Sequence, residues 1–374
     1  MAIFPLPVEV QSLLPALGIA PASVTLVERM AGGLSDGRLY RLWLRNPEGT
    51  GCERTRVLKY SEPLAGWLGE ISGDTHIREA QLAASGLLAD LPRDIVTPTR
   101  SVAFHGQQSH PTGAALLMRD IQHFLLRRPY RTPPGSLPPD AVVLIKRLAG
   151  MHARFWNDPR LDDEALGLMS LERALLVTGP LGVASRLAAG DTLPYLAIAD
   201  QSWRDFFALA GEPAATRLRA IMAEPERITR IVNRLPRTLV HGDVWGPNMG
   251  WIPEASGRQR LLLFDWALAL AGPATYDILW QCGAWLTANP VRVLALYRFH
   301  LARALHARGL RLDDATWLAL ADAGYLRTVL TCGEGMARLA LSAPVGAAQH
   351  SALAWLRWWI ERALRAAHRL ELLG

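Results

Sequence analysis

The apolar residues follow a strand-like pattern before about residue 120 and a helix-like pattern after it. In the first part, two alternating segments flank a glycine-bearing turn, Ala31–Arg38, and predict a β-hairpin. Further short segments rich in β-formers follow. The predicted strands are Ser23–Met30, Leu39–Leu44, Arg56–Tyr60, Ser101–His105 and Ala114–Met118. Helical spacing predicts two helices here, Pro7–Leu17 and Asp74–Leu88, the second with Asp74 as its N-cap.

The longer second part is predicted to be mostly helical. The proline-rich segment Arg128–Pro139 predicts a loop, and Asp140 is expected to cap the helix that follows. Helical patterns cover Ala141–Trp156, Leu161–Ile231, Ile278–Ala288 and Val291–Leu373. Two short apolar runs interrupt them, Leu239-Val240 and Leu261–Phe264. The sequence therefore predicts an α+β protein with two domains, residues 1–119 and residues 120–374.

Length and composition are those of a soluble globular protein. The chain has 374 residues, of which 50% are hydrophobic and 20% are charged, so it can bury a large core. No run of apolar residues is long enough to predict a membrane span, and no secretory signal is recognisable, so we expect a cytoplasmic protein. The scattered Cys52, Cys282 and Cys332 have no metal-ligand spacing.

The distribution of charge argues against nucleic-acid binding and draws attention to one lysine. The net charge is +6, but the arginines are spread through segments that also carry Asp and Glu. Only two of the 40 basic residues are lysines, Lys59 and Lys146. Because arginine serves nearly everywhere else, a retained lysine indicates a need for a compact ammonium. Lys59 ends an apolar strand, where an unpaired cation would be costly.

Polar residues follow both short apolar runs of the second part. Asp243 lies just after the first run, Asn248 comes five residues later, and Asp265 follows the second run. Phosphoryl transfer from a nucleotide uses an Asp to orient a hydroxyl and accept its proton, and an Asn and a second Asp to hold magnesium. The catalytic loop of protein kinases has the same Asp-x4-Asn interval. Capping of turns is the alternative for Asp and Asn, but three such residues beside apolar runs favour the chemical interpretation.

These motifs resemble those of the aminoglycoside phosphotransferase/choline kinase-like family, small-molecule kinases related in fold to protein kinases. The resemblance covers about residues 30–280, and its specific part is HGD-x4-N followed by FDW. The segments that carry it, in the family's order, are GGLSDGRLYRL (32–42), VLK (57–59), REA (78–80), LAGMHARFW (148–156), LVHGDVWGPN (239–248), LFDW (263–266) and GPATYDI (272–278). It implies a protein-kinase-like bilobal fold, with a β-rich nucleotide-binding N-lobe and a larger helical C-lobe that carries the catalytic loop and the acceptor site.

The resemblance also implies a nucleotide site. Lys59 would contact the α- and β-phosphates and be held by the helix carboxylate of Glu79, because REA opens a helix at the right place. Glu70 is the alternative, since the GEISGD stretch before REA leaves another start of the helix open. The glycine-rich turn would bind phosphate through its amides and a hydroxyl, and adenine would bond the backbone just after the fifth strand. The remaining residues of the nucleotide site are Gly33, Ser35, Met118, Arg119 and Ile121.

For the catalytic loop, the resemblance makes Asp243 the catalytic base and makes Asn248 and Asp265 the Mg²⁺ ligands. His241 and Asp277 would support the loop, although a plain N-cap for the helix beginning at Ile278 is the alternative role for Asp277.

The function implied is transfer of the γ-phosphate of ATP or GTP, with Mg²⁺, to a hydroxyl of a small molecule such as an antibiotic, a sugar or an amino alcohol. No activation segment follows the second Asp motif, which argues against a protein acceptor. The partners expected are the nucleotide and the acceptor, with no nucleic acid and no membrane. The alternative is a nucleotide-binding pseudokinase or scaffold without turnover. A helical interaction protein would not explain Lys59 or the Asp-Asn-Asp set.

Overall fold

The computed structural model describes residues 5–30, 37–45, 54–126, 137, 139–284 and 289–373. The chain divides into two compact units. The first comprises Met1–Arg127, Asp162–Met169 and Pro247–Ala269, and the second comprises Arg128–Leu161, Ser170–Gly246 and Leu270–Gly374. The first break lies close to the boundary predicted at residue 120, whereas two short segments from later in the chain group with the N-terminal unit.

The N-terminal unit is built on an antiparallel sheet. The described strands are β1 Val24–Met30, β2 Arg38–Leu44, β3 Arg54–Ser61, β4 Ile95–Val96, β5 Thr99–Gln107, β6 His110–Arg119, β7 Thr238–Val240, β8 Met249–Pro253, β9 Gln259–Leu263 and β10 Leu270–Gly272. The main sheet has the order β1-β2-β3-β6-β5, so each predicted strand is present in it. A smaller sheet joins β4, β9 and β8, and β7 pairs with β10.

The described helices are α1 Val8–Leu13, α2 Gly66–Ser72, α3 Arg78–Ala84, α4 Pro139–Arg154, α5 Leu171–Leu176, α6 Pro180–Ala188, α7 Pro194–Ala210, α8 Glu212–Ala223, α9 Pro225–Val232, α10 Thr275–Ala284, α11 Pro290–His306, α12 Asp314–Ser342 and α13 Ala347–Leu372. Those from α4 to α13 belong to the second unit. The predicted loop Arg128–Pro139, which precedes α4, lies largely outside the described residues. The predicted α+β class, with a β-rich N-terminal part and a mostly helical remainder, is confirmed. Among the described residues, no helix combines the length and the apolar character needed to cross a bilayer.

The main sheet separates two apolar clusters, and β3 contributes to the first of them. Leu58 packs with Val10 and Leu14 of the α1 region. On the other face, Leu116 packs with Ile77 at the start of α3. Because successive side chains of a strand point to opposite faces, Lys59 follows Leu58 on the face that α3 covers. This register directs the one lysine of the sheet into a buried space.

The helix predicted at Asp74–Leu88 is shorter than expected. It begins at Arg78, because Ile77 at the N-cap takes a left-handed backbone with φ of 56°, and an additional helix, α2, precedes it. Asp74 is not the N-cap, but its Oδ1 accepts a hydrogen bond of 2.7 Å from the amide of Arg78. It therefore satisfies a first-turn amide from four residues away. Gly86, with φ of 77°, follows α3 and separates it from a short 3-10 turn.

Candidate active site

Lys59 is a buried ammonium shared by two carboxylates. Its Nζ lies 2.7 Å from Oε2 of Glu79 and 2.7 Å from Oδ1 of Asp265, and only 8% of the residue is exposed. Burial by itself would lower the pKa of Lys59, but the charges of Asp265 and Glu79 outweigh it and raise that pKa well above its ordinary value. Glu79, the predicted partner, makes this ion pair, and the alternative, Glu70, lies in α2.

The backbone at Asp265 is held by the same glutamate. Asp265 follows β9 in a left-handed conformation, with φ of 62°, which costs a non-glycine residue about 1–2 kcal/mol. Oε1 of Glu79 accepts a hydrogen bond of 3.1 Å from the Asp265 amide. The two oxygens of Glu79 therefore hold the ammonium and the loop that carries the second carboxylate, which offsets the strain of that loop.

Arg78, the residue before Glu79, also makes a hydrogen bond to the loop that carries Asp265. It is fully buried, and its guanidinium donates to the carbonyls of Gly167 at 2.6 Å and Ser72 at 3.2 Å. It also donates to the carbonyl of Ala267, two residues after Asp265. Sequence reasoning missed this role, although the arginine stands next to Glu79 in the REA motif.

Asn248 and Asp265 come to one end of a strand pair. Met249 of β8 lies opposite Leu263 of β9, and the Asn248 carbonyl accepts a hydrogen bond of 3.2 Å from the Phe264 amide. The register therefore brings Asn248, which is 7% exposed, next to the start of the Asp265 loop. Both side chains offer the oxygen ligands that Mg²⁺ prefers.

The charges in this group fit a divalent cation. One ammonium, Lys59, is shared by two carboxylates, Glu79 and Asp265. Burial, with the charge of Asp265 beside it, raises the pKa of Glu79, and a further cation would stabilise the charged form of both carboxylates. Within the part of the chain that the structure describes, no group of three or more His, Cys, Asp or Glu side chains is arranged to hold a metal. A magnesium ion here would take few protein ligands and the rest from phosphate and water, as is usual for Mg²⁺.

The loop after β7, in the second unit, is fixed through its backbone. Asp277, in the first turn of α10, accepts hydrogen bonds of 2.9 Å from the amides of both His241 and Gly242. Gly242 has a left-handed backbone with φ of 84°, and the amide of Asp243 donates to Nδ1 of the buried His241 at 3.3 Å. Consecutive amides leading to Asp243 are therefore each satisfied by a side chain.

Asp277 is an ionised group inside the protein. It is fully buried, and Nε2 of the buried His152 lies 3.1 Å from its Oδ2. Burial would raise the pKa of Asp277, but the hydrogen bonds and positive character of His152 and His241 lower it below its ordinary value. Tyr297 completes the group, with its hydroxyl 2.6 Å from Nδ1 of His152 and donating to the Ala274 carbonyl at 3.0 Å. Asp277 therefore bonds outside its own helix and is not a simple N-cap.

The residues predicted to bind adenine lie at and just after the end of β6. Met118 pairs with Val57 of β3. The Arg119 amide donates to the Pro98 carbonyl at 2.9 Å, and the Ile121 carbonyl accepts from the Phe124 amide at 2.8 Å. Two of the backbone groups of this segment are thus already used. The predicted phosphate-binding residues, Gly33 and Ser35, lie outside the described residues.

The predicted residues fall into two sets. The described members of the nucleotide and metal set belong to the first compact unit: Lys59, Glu79, Met118, Arg119, Ile121, Asn248 and Asp265. The catalytic-loop set belongs to the second unit: His241, Asp243 and Asp277.

No family model matches the chain, and no curated protein matches it either. Solved structures similar to it include the GDP and kanamycin complex of APH(2")-IIia, with 15% sequence identity, a TM-score of 0.45 and 94% of each chain covered. An ethanolamine kinase of Plasmodium vivax has 10% identity and a TM-score of 0.46, over 98% of this chain and 91% of that chain. A putative aminoglycoside phosphotransferase from Ralstonia eutropha has 14% identity and a TM-score of 0.41, over 96% of this chain and 97% of that chain.

These are the kinds of protein that the sequence motifs resemble.

We predict that Asp277→Asn destabilises the protein by about 3 kcal/mol at neutral pH. Each oxygen of Asp277 accepts from one backbone N–H group, and the NH₂ group of an asparagine would replace one of these oxygens, so that a buried donor would face another donor. The folded-state pKa of Asp277 is depressed, so its contribution is present above the unfolded-state pKa of about 3.9 and is lost as the pH falls through the folded-state value. The loss of stability should therefore be constant near neutral pH and shrink below about pH 4. Denaturant unfolding of both proteins over that pH range measures it.

Asp140→Asn, an exposed first-turn residue of α4 in the same unit, is the matched control. It should change the stability by less than about 0.5 kcal/mol. Equal effects of the two substitutions would contradict the structural role given to Asp277.

Proposed function

We propose that this protein is a small-molecule kinase that transfers the γ-phosphoryl group of ATP or GTP to a hydroxyl of a small acceptor with the help of Mg²⁺. The observation that carries the proposal is the buried ammonium of Lys59, 2.7 Å from both Glu79 and Asp265. A hydrophobic residue would pack in this position without the cost of desolvating three charges. The cost is explained if Lys59 binds phosphate, with one carboxylate to position it and a second carboxylate to bind a metal.

In the proposed mechanism, Lys59 stays bound to Glu79 and donates to the α- and β-phosphates, exchanging its contact with Asp265 for a phosphate oxygen. Asp265 and Asn248 would hold Mg²⁺, which would supply positive charge to neutralise the phosphates. The hold of Glu79 on the Asp265 amide keeps that carboxylate in place during the exchange.

Asp243 is proposed as the base. It accepts a hydrogen bond from the acceptor hydroxyl and orients it. An aspartate of ordinary basicity takes the proton late, as the acceptor oxygen bonds to the γ-phosphorus and the bond to the β–γ bridging oxygen breaks. The nucleoside diphosphate leaves, and the phosphorylated acceptor forms. The hydrogen bonds of Asp277 and His241 to the loop backbone support this role, because they limit the positions that Asp243 can take.

The acceptor is proposed to be a hydroxylated small molecule: an antibiotic, a sugar or an amino alcohol. Several described acidic side chains of the second unit are used in ion pairs, such as Asp322 with Arg369, and so do not commit the site to a polycation.

The proposal is tested by release of ADP or GDP from Mg-ATP or Mg-GTP in the presence of aminoglycosides, macrolides, simple and amino sugars, and choline-like alcohols. We expect at least one acceptor to stimulate turnover, and Asp243→Asn to lower that turnover by about 10²–10⁴-fold, since removing a general base costs on this order. Full activity in Asp243→Asn would exclude it as the base. A folded wild-type protein that binds Mg-nucleotide but responds to no acceptor would favour the pseudokinase alternative.

We also predict that Lys59→Met weakens Mg-nucleotide binding by about 10–100-fold, because a charge-assisted hydrogen bond to phosphate contributes about 1.5–3 kcal/mol. Isothermal titration of Mg-ATP and Mg-GTP measures this, after thermal melting has shown that the variant is folded.

The chain provides its own control in its second lysine. Lys146 is exposed on α4, and Lys146→Met should leave the dissociation constant within about twofold of wild type. Equal affinities for all three proteins would remove Lys59 from the nucleotide site.

A further inference from the structure

A fully buried arginine lies beneath the loop that carries Asp243. Arg327 is on α12 and has no solvent exposure. In the sequence it is the one charged residue between Asp322 and Glu334. Its guanidinium donates to three carbonyls, those of Gly242 at 3.0 Å, Ala174 at 3.3 Å and Tyr276 at 3.4 Å. One cation thereby joins α5, α10 and the loop after β7.

The guanidinium is held by dipoles and rings. Its central carbon lies 4.9 Å from the centre of the Tyr276 ring and 5.4 Å from that of Trp280, within the range of cation–π attraction. Its three hydrogen bonds all go to backbone carbonyls. Burial lowers the pKa of Arg327, and the nearby charges of Asp277 and Asp243 oppose that shift, so the group stays a cation.

Burying this cation costs desolvation free energy that packing alone does not require. An apolar side chain would pack in the same volume without desolvating a charge. The shortest of the three hydrogen bonds goes to the carbonyl of Gly242. This carbonyl belongs to the peptide group that joins Gly242 to Asp243, so the charge of Arg327 acts directly on the backbone at Asp243.

We propose that Arg327 is a positioning residue for the reaction: through the Gly242 carbonyl it fixes the peptide plane that sets the direction of the Asp243 side chain. This inference rests on the proposed function of Asp243.

Both the carbonyl and the amide of the Gly242–Asp243 peptide group have a side-chain partner. Its carbonyl accepts from Arg327, and its amide, that of Asp243, donates to His241. The preceding two amides donate to Asp277. Gly242 has φ of 84°, a conformation that glycine adopts without strain and from which it can also rotate easily. Without Arg327 the carbonyl would lose its donor inside the protein, and the peptide would be free to turn away.

The test compares Arg327→Met, which removes charge and donors, with Arg327→Lys, which keeps the charge but cannot reach three carbonyls. Arg338→Met is the matched control, because Arg338 lies on the same helix and its side chain is 49% exposed. Each protein is assayed with the best acceptor, and kcat is normalised to the folded fraction.

We expect Arg327→Met to lower kcat by about 10²-fold, the scale on which misplacement of a catalytic group acts, with KM for the nucleotide within about twofold of wild type. Arg327→Lys should retain intermediate activity, and Arg338→Met should match wild type. A residue with only a structural role would lower the melting temperature without changing kcat per folded molecule. That result would overturn the proposal.

Hydrogen exchange gives a readout that does not depend on turnover. In Arg327→Met the amides of His241, Gly242 and Asp243 should exchange faster than in wild type, and in Arg338→Met they should not. Unchanged exchange in these amides would overturn the proposal, and if Arg327→Met does not fold, Arg327→Lys carries the same comparison. A wild-type protein without turnover would instead count against the proposed function, while the exchange data would still decide whether Arg327 fixes this loop.

Discussion

The buried ammonium of Lys59 is the interaction on which the N-terminal unit depends. Its position follows from the register of β3, which places Leu58 in one apolar cluster and Lys59 on the opposite face. A cation there is tolerated only because Glu79 and Asp265 both lie 2.7 Å away. That requirement accounts for two left-handed residues, Ile77 just before α3 and Asp265 just after β9, since these turns bring both carboxylates to the lysine.

The second unit uses the same physical principle on its own loop. Buried charges there bind backbone groups: Asp277 accepts from two amides, and Arg327 donates to three carbonyls. A charged group makes stronger hydrogen bonds than a neutral one, and water cannot compete inside the protein. The backbone leading to Asp243 is therefore fixed before any ligand binds, which is the preorganisation that the proposed proton transfer and phosphoryl transfer would require.

Local patterns predicted the sheet and part of the site, and long-range contacts decided the rest. Alternation in short β-rich segments was sufficient for the five strands of the main sheet, and the scarcity of lysine singled out Lys59. The start of α3 was wrong by four residues, because Asp74 reaches forward to the Arg78 amide instead of capping directly. The buried arginines were missed, because their partners are carbonyls from distant segments, such as Gly167 and Ala267 for Arg78. Sequence alone does not bring those segments together, and arginine is usually a surface residue. A lone arginine in an otherwise uncharged helical stretch was the available signal for Arg327.

The proposed reaction moves a phosphoryl group onto a small-molecule hydroxyl. The most direct measurement is mass spectrometry of the acceptor after incubation with Mg-ATP or Mg-GTP and wild-type protein, with Asp243→Asn alongside. We expect a phosphorylated acceptor that accumulates with wild type and is nearly absent with the variant. Nucleotide hydrolysis to free phosphate with an unmodified acceptor, or equal product from both proteins, would contradict it.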